Sequence, residues 1–246
     1  MRNFRIDLTY DGSRYKGWQR LGGGENTIQA KLESVLGRML NCPVEVIGSG
    51  RTDAGVHAIG QVANFHAKTQ MTAAQIQRYL RKHLPEDIGV LSVTETEERF
   101  HSRLSAVEKT YRYCIWNSDE PCVFHRKYVW KISDGLDVDA MKTAAGFFLG
   151  EHSFLAFCSN KHLKKSPVRR ISRISVEREG PKVILEFTGN GFLYNMVRIM
   201  VGTLVEVGLG NLQAGRIPEI LASGVRENAG PTAPACGLCL MEVKYW

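Results

Sequence analysis

Apolar and polar residues alternate from the start of the chain: Phe4, Ile6, Leu8 and Tyr10 are separated by Arg5, Asp7 and Thr9. A period of two predicts a strand with one buried face. After the Gly22-Gly23-Gly24 loop, Ile28, Leu32, Val35, Leu36, Met39 and Leu40 recur at helical spacing, with Asn26 or Thr27 as N-cap and Pro43 closing the helix. Val44 to Ile47 and Gln61 to Ala67 read as strands, Thr72 to Leu84 as a helix, and Ile88 to Val93 as a strand. The order is β-α-β-β-α-β, a split βαβ arrangement.

The second half repeats that order. Thr110 to Trp116 reads as a strand, Val138 to Leu149 as a helix, and Ile171 to Val176 and Val183 to Phe187 as strands. A helix over Leu193 to Val207 and a strand over Leu238 to Val243 follow, with an extra segment near Tyr128 to Ile132 and a short helix around Ile217 to Leu221. The boundary falls near Leu104 to Lys109, which divides the chain into an N-terminal α/β domain, 1–106, and a C-terminal one, 107–246. No sequence repeat is visible, only the repeat of element order. The expected class is α+β: two ferredoxin-like βαββαβ halves with mainly antiparallel sheets, able to join and leave a cleft.

Composition agrees with a folded chain. Of 246 residues 43% are hydrophobic and 23% charged, enough apolar mass for a core and too little charge bias for disorder. Lys and Arg total 32 against 25 Asp and Glu, a formal net charge of +7. That surplus favours a polyanionic partner without proving one. The six cysteines, at 42, 114, 122, 158, 236 and 239, sit mostly among strand-like or apolar residues, which suits reduced, packed thiols in the cytoplasm. No apolar h-region precedes the first strand and no apolar run of about eighteen residues occurs, so neither a signal peptide nor a membrane span is expected.

The densest peculiarity is Gly48-Ser49-Gly50-Arg51-Thr52-Asp53-Ala54-Gly55-Val56-His57, between two strands. Glycines there permit backbone conformations that other residues resist, and loops at strand ends often display functional side chains. It matches no phosphate-binding loop, since neither G-x-G-x-x-G nor Gly-Lys-Ser/Thr is present. A plain glycine turn with a local Arg–Asp pair stays open on the pattern alone.

Three further features are ambiguous in the same way. Arg198 lies in the apolar run Phe192 to Gly202, with Tyr194, Asn195, Val201 and Gly202 as helical neighbours. A buried guanidinium there needs a carboxylate, for which Asp53 is the candidate, or else reaches solvent past small residues. Tyr111 and Tyr113 share one strand face, with Arg112 on the other. Two such rings stack a nucleobase or simply fill a core. The run Lys161 to Arg173 holds Lys161, Lys164, Lys165, Arg169, Arg170 and Arg173 without an acid, on what reads as a loop leading into a strand. It suits a phosphate backbone or a solvated surface. Cys236-Gly237-Leu238-Cys239 is a lone C-x-x-C without a second pair, and no H-E-x-x-H occurs, so no metal is expected.

Taken together these residues resemble the tRNA pseudouridine synthase A (TruA) family. Ser49 to His57 resembles its catalytic motif, and Tyr10-Asp11-Gly12-Ser13-Arg14-Tyr15 with Gly17-Trp18-Gln19-Arg20 its opening motif. Phe100-His101-Ser102-Arg103, Lys109-Thr110-Tyr111-Arg112-Tyr113, Phe192 to Gly202, and Thr232-Ala233-Pro234-Ala235 with Gly237-Leu238 follow in the family's order. The resemblance implies RNA-recognition-like halves around a basic cleft. It implies a homodimer that binds tRNA across both subunits and turns uridine into pseudouridine at tRNA positions thirty-eight, thirty-nine and forty, in the anticodon arm, without a cofactor.

It also implies roles. Asp53 is the nucleophile and Arg198 its ion-pair partner; Tyr111 stacks on the target base with a part in proton transfer, and Arg51 assists base flipping. Phe100, His101, Arg103, Lys161, Lys164 and Lys165 belong to substrate binding. The alternatives are a noncatalytic RNA-binding protein of the same fold and a synthase with another uridine target. An Asp-dependent hydrolase of a small phosphorylated substrate would require a metal cluster or phosphate loop, which the sequence lacks. Neutralising Lys164 and Lys165 together is expected to weaken tRNA binding and flatten its salt dependence, measured by titration across ionic strength. An unchanged slope would mean that neither touches the backbone.

Overall fold

A computed structural model describes every residue of the chain except 24, 25, 161, 162, 164 and 165. The chain is a mixed α+β protein whose strands pair mostly antiparallel. Two compact units emerge: Met1–Val107 with Cys239–Trp246, and Glu108–Leu238.

The first unit holds β1 (Arg2–Tyr10), α1 (Ile28–Leu40), β2 (Ile47–Gly48), β3 (His57–Ala67), α2 (Ala73–His83) and β4 (Ile88–Thr96). β1 lies between β3 and β4, antiparallel to both, and β2 borders β3. Phe4, Ile6, Leu8 and Tyr10, one face of β1, are buried as their alternation requires. Leu32 and Leu36 of α1 and Ile76 and Leu80 of α2 are fully buried as well, and Phe4 stacks on Phe65 with centroids 5.4 Å apart. Thr27, not Asn26, caps α1, accepting the Ala30 N–H. Thr72 and Gln75 form a capping box on α2.

Two strand bounds differ from the expectation. Val44 to Val46 do not join the sheet, and α1 side chains take the backbone groups of Val46: its N–H donates to Glu33 Oε1 at 3.0 Å, and Gln29 Nε2 donates to its carbonyl at 3.0 Å. β3 begins four residues earlier than its apolar run, at His57, and there pairs with Tyr10 of β1 through Ala58.

The second unit contains most of β5 (Ala106–Asn117), β6 (Trp130–Ile132), α3 (Val138–Gly146), β7 (Gly150–Ser153), β8 (Val168–Glu179), β9 (Lys182–Gly189), α4 (Met196–Gly208) and α5 (Ile217–Ser223). β9 lies between β5 and β8, antiparallel to both; β7 flanks β8, and β6 runs parallel to β5. Phe148, Phe154 and Phe157 form a buried edge-to-face cluster, with Phe148 and Phe157 centroids 5.0 Å apart. α3 stops at Gly146 rather than Leu149, and β7, absent from the sequence reading, starts at Gly150 with φ +95°. Arg169, Arg170 and Arg173 lie on β8 itself, not on a loop before it.

The last strand, β10 (Leu238–Tyr245), was expected in the second domain. From Cys239 onward it groups with the first unit, because it pairs in parallel with β3, Cys239 opposite His57 and Leu240 opposite Ala58. Gly60 permits this: a Cβ there would stand 2.2 Å from the Met241 carbonyl oxygen. Phe65, fully buried, carries the core of the first unit. Phe65→Ala is expected to destabilise that unit by about 3–5 kcal/mol, read from the midpoint of a urea unfolding curve.

Candidate active site

Asp53 sits half-buried on the loop between β2 and β3. The preceding segment, from Tyr10 to Arg20, wraps that loop at backbone distance. Trp18 N–H donates to the Thr52 carbonyl at 3.0 Å and Gly55 N–H to the Tyr15 carbonyl at 3.2 Å. Such contact excludes side chains. A Cβ on Gly12 would stand 2.0 Å from the Val56 oxygen, and one on Gly17, whose φ is +89°, 2.5 Å from the Thr52 oxygen. Gly48 leaves room for the buried Trp18 ring, 2.4 Å from where its Cβ would be.

Side chains finish the attachment. Gly12 N–H donates to His57 Nδ1 at 3.1 Å, and Arg14 and Tyr15 both donate to Asp87, each at 2.5 Å. Tyr10 hydroxyl and Thr52 Oγ1 lie 2.8 Å apart in the interior. Within the loop, Val56 N–H closes a turn onto the Asp53 carbonyl at 3.1 Å. Arg51, two residues before Asp53, is exposed.

Phe100, His101 and Arg103 lie on a turn following β4. Ser102, fully buried, anchors it by donating from Oγ to the Ile47 carbonyl at 2.5 Å and accepting the Tyr245 hydroxyl on its own carbonyl at 2.6 Å. His101 Nδ1 accepts the N–H groups of Arg103 and Leu104, both at 3.2 Å, so that nitrogen serves the turn. Phe100 packs on Tyr245 at 5.1 Å, and Arg103 is exposed.

In the second unit the two tyrosines part company. Tyr113 is fully buried and its hydroxyl donates to the Pro234 carbonyl at 2.7 Å, a core residue with its polar atom satisfied. Burial pushes that hydroxyl well above the usual tyrosine range. Tyr111, 8% exposed, meets Phe192 edge-on at 5.1 Å. Arg112 on the opposite face pairs with Glu186 at 2.8 Å.

Arg198 falls in the first turn of α4. The helix starts at Met196, later than the apolar run suggests, because Asn195 takes a left-handed φ of 61°. Its side chain then reaches both ways: Oδ1 accepts Arg198 Nη1 at 3.0 Å, and Nδ2 donates to Ser159 Oγ at 3.0 Å. Arg198 Nε donates to the Ala233 carbonyl at 2.7 Å, and Ala233 N–H returns a bond to the Arg198 carbonyl at 3.1 Å. The segment ending at Ala233 gets this close because α4 has Gly202, whose Cβ would be 1.8 Å from the Pro231 oxygen. Tyr111 and Arg198 thus depend on one stretch, through Phe192 and Asn195. Asn195 was read from sequence only as a helical neighbour; its spacing of three from Arg198 is the signal that pointed to the contact.

Lys161, Lys164 and Lys165 lie outside the described residues. Of the rest of that basic run, Arg169 is half-buried and donates to the Ser166 carbonyl at 2.9 Å, burial drawing its pKa down, while Arg170 and Arg173 are exposed. Among the described residues the six cysteines are free thiols, with Cys42 exposed rather than packed. No group of three or more His, Cys, Asp or Glu among them is placed to hold a metal ion. No described helix is long and apolar enough to cross a membrane.

The first unit thus mounts Asp53 on a loop held by backbone contacts, and the second holds Tyr111 and Arg198 through Phe192 and Asn195. The family model described as tRNA pseudouridine synthase aligns with residues 8–104 and 144–246, and the chain belongs to that family. Asp53 and Arg198 lie inside the matched segments; Tyr111 lies between them. Over 245 residues, all of both chains, the sequence is 49% identical to "tRNA pseudouridine synthase A" of Bacillus sp. (strain KSM-64). It is 44% identical, again over all of both chains, to the protein of the same name from Acetivibrio thermocellus. A crystal structure of a Cbf5-Nop10-Gar1 complex aligns with 96% of this chain and 57% of its own at 13% identity and a TM-score of 0.36, too low for an argument.

Gly202→Ala is expected to push the 230–233 segment off α4 and cost about 1–3 kcal/mol of stability, measured by urea titration. An unchanged midpoint would mean that the segment yields freely.

Proposed function

We propose that this chain isomerises uridine to pseudouridine in tRNA, with Asp53 as nucleophile. The observation that carries the reading is the full-length similarity to proteins named tRNA pseudouridine synthase A, within which Asp53 stands on a loop held by backbone contacts. The target uridines are at tRNA positions thirty-eight, thirty-nine and forty, in the anticodon arm. The protein acts in the cytoplasm as a homodimer.

The reaction breaks the N1–C1′ bond, turns the uracil, and joins C5 to C1′. C5 gives up one proton and N1 takes one, so atoms and electrons balance within the RNA. Asp53 attacks either C6 of the base or C1′. A nucleophilic carboxylate in a water-poor pocket needs a cation to stay ionised, and Arg198, stiffened by Ala233 and Asn195, supplies it in this reading. The target base must leave its stack, at a cost of a few kcal/mol. Arg51 assists that step, and Tyr111 stacks on the flipped base and takes part in removing the C5 proton. Phe100, His101, Arg103, Lys161, Lys164 and Lys165 bind the RNA, the cations through phosphates.

The test uses tRNA tritiated at C5 of uridine. Wild-type protein is expected to release tritium, and Asp53→Asn to lower the rate by at least about a thousandfold while binding tRNA with nearly unchanged affinity. Normal turnover by Asp53→Asn would remove that residue from the mechanism.

A further inference from the structure

The loop that carries Asp53 has glycine at 48, 50 and 55, so its backbone has little stiffness of its own. A buried chain of polar side chains supplies it. Gln61 of β3 is fully buried, and its amide makes four bonds. Nε2 donates to the Gly50 carbonyl at 3.1 Å and to the Tyr10 hydroxyl at 3.2 Å. Oε1 accepts from Ser49 Oγ at 2.7 Å and from Val62 N–H at 3.2 Å.

Both hydrogens on Gln61 Nε2 are committed, one of them to the Tyr10 oxygen, and the Tyr10 hydroxyl shares a further bond with Thr52 Oγ1, 2.8 Å away. Burial pushes the Tyr10 hydroxyl up, beyond the range in which it would ionise, so it stays protonated. Ser49 N–H adds a bond to the Val62 carbonyl at 2.7 Å. The network therefore grips residues 49, 50 and 52, the three positions around Arg51 that lead directly into Asp53.

Apolar residues of similar shape would fill this space at comparable stability, since net hydrogen-bond energies are small. What a fully satisfied buried network adds is a single arrangement. We propose that Tyr10 and Gln61 are positioning residues: through Ser49, Gly50 and Thr52 they set the direction in which the loop delivers the Asp53 carboxylate. The inference rests on Asp53 being the nucleophile of pseudouridine formation. Neither residue touches the RNA in it; each acts through the loop, and misplacement by about 1 Å lowers rates about a hundredfold in reactions that depend on alignment.

The test is Tyr10→Phe, which removes one oxygen and keeps the ring that lies 6.3 Å from Trp18. Single-turnover tritium release, tRNA affinity and thermal unfolding are measured on wild type, Tyr10→Phe, Thr52→Val and the double variant, well below the unfolding transition. The expected result is a rate constant lowered at least about tenfold in each single variant, with tRNA affinity within about twofold and the double variant no slower than the worse single one. Gln61→Glu, which keeps the acceptor for Ser49 but loses both donors, is expected to fall likewise. A folded Tyr10→Phe or Thr52→Val enzyme with the wild-type rate overturns the proposal. So do multiplicative losses in the double variant, or losses confined to affinity. Should Tyr10→Phe not fold, Thr52→Val decides alone, since it breaks the same bond from the loop side. A wild-type protein that releases no tritium would instead sink the functional reading itself.

Discussion

The first unit depends on a backbone-to-backbone approach that only missing side chains allow. The segment after β1 lies against the aspartate loop so closely that Gly12 and Gly17 have the Val56 and Thr52 carbonyl oxygens where a Cβ would be. Two consequences follow. The Trp18–Thr52 and Gly55–Tyr15 bonds form between main chains and do not vary with rotamer choice. And the large Trp18 ring can seat over Gly48, closing the interior beneath the loop. A carboxylate mounted this way stands on a loop fixed by main-chain contacts.

The second unit applies the same device to a cation. Gly202 on α4 and Gly230 on the facing segment remove the side chains that would hold the two apart; a Cβ on Gly230 would lie 2.6 Å from the Thr203 Cα. The approach brings the Ala233 carbonyl to Arg198, whose half-buried guanidinium donates to that carbonyl and to Asn195. A partly desolvated guanidinium without acceptors would be costly, and long arginine side chains lose much rotamer freedom when ordered. Starting the helix at Met196, after a left-handed Asn195, helps meet both demands, because the turn before the helix supplies an acceptor.

Tyr111 and Tyr113 show how far a strand pattern carries. Alternation places both rings on one face of β5 and Arg112 on the other, as observed. It cannot say which ring is structural. That follows from what stands over each: Pro234 receives the Tyr113 hydroxyl and Gly237 makes room for its ring, while Tyr111 meets Phe192. The basic run likewise had two readings, and the pairing of β8 with β7 and β9 placed Arg169, Arg170 and Arg173 on a strand where the charges alone suggested a loop.

By itself the amino-acid sequence determined the α+β class and most helices and strands, and it marked the aspartate loop as the densest candidate chemistry. These are local properties: periods of two and 3.6, caps, and glycine clusters are written in neighbouring residues. Tertiary structure alone decided that Val46 gives its backbone groups to Glu33 and Gln29 instead of a sheet, and that the chain's last eight residues return to β3 in the first unit. It also decided that Gln61, which reads as an ordinary strand residue, grips the loop before Asp53. Each of these depends on partners far along the chain, and hydrogen-bond satisfaction in a buried interior is settled by which groups meet there, which no local pattern encodes.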